Sequence, residues 1–193
     1  MAKLTRNDLY SLEKYAEVRA DFRRKVIEHK KNRRLALDPH ITLYFEDALT
    51  VQYQIQEMLR IERIFEAAGI QEELDVYGAL IPDGHNWKAT FMIEYADEAE
   101  RKQALARLMG IEDTVWMQVE GHEKVYAIAN EDLDRSAPDK TASVHFMRFE
   151  LSPEMRAAAG RGAALYAGVD LPVCQASIKI AENVRAALVA DLA

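Results

Sequence analysis

Apolar and polar positions along the chain alternate between two periods. Residues 8–31 place Leu9, Leu12, Tyr15, Ala16, Phe22, Val26 and Ile27 on one broad arc at about 100° per residue, which predicts a helix. Thr5 and Asn7 are its candidate N-caps, with Asp8 favourable in the first turn. Residues 35–37, the turn Asp38-Pro39-His40 and residues 41–45 read as a hairpin. Asp47 can cap a second helix that runs to Ala68 and closes at Gly69, and a shorter one over 71–77 ends at Gly78.

Residues 87–95 alternate as a strand, with Trp87, Ala89, Phe91, Ile93 and Tyr95 on one face and Lys88, Thr90, Met92 and Glu94 on the other. Acids at 97, 98 and 100 open a further helix that stops at Gly110. Residues 114–120 and 124–130 are strands joined by Gly121-His122. Another strand covers 141–151, and Ser152-Pro153-Glu154 starts a helix. A last strand over 164–169 and a last helix over 181–192 complete the pattern, and the stretch around Cys174 has no assignment.

Helices are thus interleaved with hairpins rather than with single parallel strands. The expected fold is α+β, a mostly antiparallel sheet built from hairpins and covered by several helices. A single domain over 1–193 is expected, with 152–193 its least defined segment.

Composition narrows the class. The 193 residues are 49% hydrophobic and 30% charged, a globular profile. Net charge is −7, which opposes nonspecific binding to nucleic acid and anionic membranes. The charge is uneven: from Arg19 to Arg34 the chain carries eight basic residues and two acids. A nucleic-acid footprint would interleave aromatics on the exposed side of that stretch, and none are there, so it reads first as a solvated face. The longest uncharged run, Ala48 to Gln56, falls far short of the about 20 residues of a spanning helix. With no apolar signal core at the start and one cysteine, Cys174, the expected location is the cytoplasm of a bacterium-like cell.

Familiar catalytic motifs are missing. There is no phosphate loop, no HExxH or ExxH, and no GxSxG elbow. Gly160-Arg161-Gly162 opens a dinucleotide fingerprint, but Leu165 stands where its third glycine belongs and no strand precedes it. No cofactor is implied by motif. The five histidines, at 29, 40, 85, 122 and 145, are scattered singly.

Three anomalies remain. On the second helix, Val51, Ile55, Met58, Phe65 and Ala68 form a stripe and Glu62 falls inside it, where a carboxylate is costly unless paired. On the first helix Arg19 lies near the centre of the apolar arc and Arg23 beside it, and an arginine fork suits a buried carboxylate. The strand 143–151 is apolar on both faces, which would half-bury His145, Arg148 and Glu150. Glu57 and Arg60 lie on the back of the second helix as a surface pair, with Tyr53 and Ile64 beside them as an alternative packing or dimer surface.

Two readings follow. In one, Glu62, Arg19 and Arg148 satisfy one another in a structural ion network. In the other, Arg19, Arg23 or Arg148 binds an anionic ligand. Glu62, His145 or Glu150 would then be catalytic, and Glu57, Glu62, His145 and Glu150 are candidate metal ligands.

The same residues resemble a known pattern. Arg23-Arg24 with Arg33-Arg34, the block Gln54-x-Gln56-Glu57-Met58-Leu59-Arg60-x-Glu62-Arg63, Leu80-Ile81-Pro82-Asp83-Gly84, Ala89-Thr90 with Ile93-Glu94-Tyr95, and Val144-His145-Phe146-x-Arg148-Phe149-Glu150 resemble a bacterial family of conserved hypothetical proteins, a domain of unknown function. The resemblance spans 4–151 and continues more weakly to the end. Relatives often carry His before the proline matched by Pro172, where this chain has Leu171. The resemblance implies gene neighbours for rubrerythrin and an iron–sulfur oxidoreductase, and it implies no catalytic residue. The expected protein is therefore a non-catalytic binding or accessory protein linked to redox or oxidative-stress partners, and a homodimer. The alternatives are a metal-dependent or anion-binding enzyme, and a nucleic-acid binder through 19–34.

Overall fold

The computed structural model describes residues 4–131, 137 and 139–192. Its helices are α1 (Leu12–Lys30), α2 (Ala48–Glu62), α3 (Ala67–Gly78), α4 (Glu98–Arg107), α5 (Pro153–Gly160) and α6 (Glu182–Ala190). Its strands are β1 (Arg34–Asp38), β2 (Ile41–Phe45), β3 (Asn86–Ile93), β4 (Val115–Val119), β5 (Lys124–Tyr126), β6 (Ile128–Ala129), β7 (Val144–Glu150), β8 (Leu165–Leu171) and β9 (Cys174–Lys179). The strands form two antiparallel sheets, ordered β1-β2-β3-β7-β6 and β5-β4-β8-β9. The α+β class is as expected, but the hairpins build two sheets where one was expected.

Strand alternation sets the core. The inner face of the five-stranded sheet contributes Leu43, Trp87, Ala89, Phe91, Met147 and Phe149, and the second sheet contributes Val115, Met117, Leu165, Ala167 and Val169. All belong to one apolar cluster that also takes Leu105 and Leu108 near α4, Ala159 of α5 and Leu188 of α6. Trp87 Nε1 donates to the Leu188 carbonyl at 2.8 Å, which satisfies a buried indole and ties α6 to the sheet.

The stretch 124–130, expected as one strand, divides at Ala127. β5 pairs with β4 in one sheet and β6 pairs with β7 in the other, so the chain crosses between sheets within a few residues. The unassigned region around Cys174 is β9, an alternately exposed edge strand paired with β8. Cys174 itself is half-buried there, and burial pushes its thiol pKa up.

The second helix also departs from expectation. α2 stops at Glu62 because Arg63 takes a left-handed conformation (φ 56°) and Ile64 N–H bonds back to the Leu59 carbonyl at 3.0 Å. Gly69 does not close this helix. It lies within α3, where a Cβ would come 2.8 Å from Ile64 Cγ2, so its role is to admit that side chain. α1 likewise begins later than expected: Ser11 caps it, while Thr5 and Asp8 cap a short 3-10 turn.

α2 packs on two sides. Val51, Ile55 and Leu59 meet Leu74 of α3 and Ile81, while Tyr53 meets Tyr15, Phe22 and Val26 of α1. Glu57 therefore faces α1, and the back of α2 is a packing surface.

Candidate functional site

The outer face of the five-stranded sheet carries Tyr44 on β2, Asn86, Lys88, Thr90 and Met92 on β3, and Val144, Phe146, Arg148 and Glu150 on β7. These are the residues that alternation turns away from the core. α2, α3 and the following Leu80 lie over this face and leave two cavities, of about 430 and about 380 Å3. The cavities share Tyr77, Leu80 and Phe146 as walls, so they form one groove with an apolar middle. Both volumes fall in the range of small-molecule sites.

Each end of the groove is polar. At the smaller cavity Glu46 accepts hydrogen bonds from Thr50 Oγ1 at 2.5 Å and Thr90 Oγ1 at 2.7 Å. At the larger one Lys88 and Arg148 stand opposite each other across the β3–β7 ladder. Arg148 donates to Glu131 through Nε (2.9 Å) and a terminal nitrogen (2.8 Å), and to Glu150 through the other at 2.5 Å. The Glu131 bonds raise the Arg148 pKa, and Arg148 in turn holds Glu131 below the usual carboxylate range.

Lys88 Nζ donates to the Ala79 carbonyl at 2.6 Å, and burial pushes its pKa down. Asn86 is 1% exposed; its Nδ2 donates to Glu150 at 3.3 Å, and its Oδ1 accepts no hydrogen bond from any described residue. Burial would raise the Asp83 carboxyl, but the His85 N–H and the Asn86 side chain outweigh it and lower the pKa.

The sequence candidates do not converge on one place. Arg148 and Glu150 lie in the groove. His145 faces the opposite way, into the core, and is 0% exposed. There it lies 2.8 Å from Thr141 Oγ1, 3.1 Å from the Ala142 carbonyl, and 3.9 Å from Glu112. Arg19 and Glu57 pair between α1 and α2, and neither lines the groove. Arg23 is exposed on α1.

Glu62 is exposed at the end of α2, and Phe65 beyond it is 62% exposed. The stripe that placed Glu62 in the core assumed a helix continuing past Arg63, and the left-handed break ends it. The expected mutual pairing of Glu62, Arg19 and Arg148 is therefore not formed, nor are Glu57, Glu62, His145 and Glu150 gathered as metal ligands. Among the described residues no group of three or more His, Cys, Asp or Glu side chains is placed to hold a metal ion.

The basic stretch is corrected too. Arg33, read as part of a solvated face, is buried, while Arg24 pairs with Asp21 and Lys31 with Glu28.

The Arg19–Glu57 pair is a structural clasp with a testable pH dependence. Arg19 bonds both Glu57 oxygens at 2.7 and 2.9 Å, and Tyr15 Oη donates to Oε1 at 2.6 Å. The guanidinium holds the Glu57 carboxyl down to about 2; burial opposes this, and Tyr15 and Arg60 add to it. A folded pKa below the ordinary 4.5 gives stability that is complete above 4.5 and lost as pH falls towards 2. The Glu57 side chain is 13% exposed but that of Arg19 is 35%, so solvent screens part of the gain. Glu57→Gln should cost on the order of 1–2 kcal/mol in urea unfolding at neutral pH. That deficit should shrink towards zero as the pH approaches 2, and a deficit independent of pH would contradict the assignment.

The sequence singles out neither Asn86, Tyr77 nor Glu131, and it marks Leu80 and Asp83 only as part of a family block, not as site residues. The available signal was the second face of the 87–95 strand, where Lys88 and Thr90 follow one another among apolar neighbours.

Fold and groove together define an α+β protein of two antiparallel sheets with a helix-covered groove on the outer face of the larger one. The chain belongs to the DUF3501 family, a protein family of unknown function, whose model matches residues 3–192. It is similar to a novel protein of unknown function from Burkholderia pseudomallei K96243, known from a crystal structure at 1.90 Å resolution. Identity is 49%, 100% of both chains is covered and the TM-score is 0.94. No curated protein matches it.

Proposed function

We propose that this is a non-catalytic binding or accessory protein, folded as one domain, that holds a small, partly apolar ligand in the groove over the five-stranded sheet. The observation that carries this is the joined pair of cavities with a buried amide, Asn86, at one end whose Oδ1 has no partner among the described residues. A buried acceptor left unpaired is costly, and a ligand donor would remove that cost. Arg148 already holds two carboxylates, which argues against the anion-binding enzyme. The gene neighbours implied by the family resemblance would make its partners redox proteins.

The test uses methionine methyl groups as reporters, because Met92 lines the groove and Met117 lies between the sheets. With methyl-13C-methionine protein, naphthalene should shift the Met92 signal and leave Met117 in place. Ala79→Trp, which adds a ring at the wall of the larger cavity, should weaken that response. A Met92 signal unmoved by naphthalene and by a panel of small aromatic and aliphatic compounds would sink the reading.

A further inference from the structure

The polar end of the groove restricts the chemistry of its ligand, given that the groove is a ligand site as proposed above. Its charged groups largely cancel. Arg148 is occupied by Glu131 and Glu150, and Asp83 stands near Lys88. An anion placed there would meet three carboxylates, at Asp83, Glu131 and Glu150, and a cation would meet Lys88 and Arg148. Like charges brought together with little solvent are costly, so the groove favours a neutral ligand.

Two hydrogen-bonding capacities are left over. Asn86 offers a buried acceptor, Oδ1, with no partner among the described residues. Lys88 offers a donor: its ammonium has three N–H bonds, of which one reaches the Ala79 carbonyl. Asn86 and Lys88 are two positions apart on one strand, so their side chains leave the same face about 7 Å apart. A single ligand edge that meets both must donate to one and accept from the other. Tyr77, Leu80 and Phe146 wall the remaining space, and their apolar surfaces suit a ring better than a polyol.

We infer that the ligand is a neutral planar heterocycle with a lactam or imide edge, whose N–H is donated to Asn86 Oδ1 and whose carbonyl accepts from Lys88 Nζ.

Lumazine, a bicyclic imide, is the probe, with its N,N′-dimethyl derivative as the ligand-side control. Both are titrated by calorimetry into the full chain, below the pKa of the imide. Lumazine should bind at least about tenfold more tightly than the dimethyl compound, which cannot donate to Asn86. Lys88→Met should weaken lumazine by about tenfold. A substitution at Asn86 could unfold the chain, so the methylated ligand carries that arm of the test. Equal affinity for the two lumazines overturns the inference, and so does naphthalene binding without lumazine binding. If naphthalene also leaves Met92 unmoved, the groove reading itself has failed.

Discussion

Asp191→Ala is expected to destabilise the protein by about 3–5 kcal/mol, measured by urea unfolding at neutral pH. Asp191 is 3% exposed and Arg33 5% exposed. The two form a bidentate pair with both contacts at 2.8 Å. Arg33 Nε also lies 2.8 Å from Asp47 Oδ2, the same oxygen that is 2.5 Å from His29 Nε2. Burial alone would lower the Arg33 pKa, yet its bonds to Asp191 make the net direction upward. Burial pushes the Asp191 carboxyl upward against the pull of Arg33, but the two-point geometry favours the ionised pair. Removing the carboxylate leaves a buried guanidinium short of a partner. The clasp also joins distant parts of the chain, the end of α6 to the segment after α1, across 158 positions. A double variant, Arg33→Met with Asp191→Leu, should recover part of the loss, because the guanidinium and its bidentate carboxylate leave together while Asp47 keeps His29 and the Thr50 N–H. If the single variant costs less than about 1 kcal/mol, the pair is screened as a surface pair would be, and its assigned burial is wrong.

That clasp shows where sequence reasoning stops. Arg33 sits in a basic run at the end of a helix, and local pattern assigns such a residue to solvent. Only the position of Asp191, which no periodicity predicts, makes it buried. Glu57 and Glu62 show the converse error. A helical wheel has no way to register the left-handed Arg63, so a stripe was extended through Glu62 to Phe65, and both prove exposed. It also assumes one buried face, whereas α2 has neighbours on two sides, and this is what makes Glu57 the paired carboxylate.

The strands were more legible, because alternation is a local consequence of backbone geometry. The inner face of 87–95 follows from it, and so does the placing of His145 on the face opposite Arg148 and Glu150, although half-burial was expected of all three and His145 is fully buried. Which sheet a strand joins does not, and the division of 124–130 between two sheets was beyond reach for that reason. The groove was half legible. Its floor is the second face of β3 and β7, but its roof is set by where α2 and α3 dock.

Gly168→Ala is expected to cost about 3 kcal/mol or more, at the upper end of what overpacking usually does. A Cβ at Gly168 would lie 2.1 Å from the Ala176 carbonyl oxygen and 2.4 and 2.7 Å from two atoms of the Trp116 ring. Neither neighbour can retreat cheaply. The carbonyl belongs to β9, and moving it opens the ladder in which Gly168 opposes Ser177 and Val169 opposes Ala176. The Trp116 ring is anchored by its Nε1 donating to Asp170 at 2.9 Å and by Lys124 Nζ, 4.2 Å from the ring centroid. Thermal unfolding followed by tryptophan fluorescence reads both the loss and its site. Gly160→Ala is the control: among the described residues nothing beyond its own helix backbone and chain neighbours lies within 4 Å of its added Cβ, and it sits at the end of α5, so alanine there should be neutral or slightly stabilising. Truncating the ring in Gly168→Ala with Trp116→Leu should not restore stability, because the clash with the Ala176 backbone persists. A Gly168→Ala protein as stable as the unmodified chain would mean that β8 and β9 do not approach this closely.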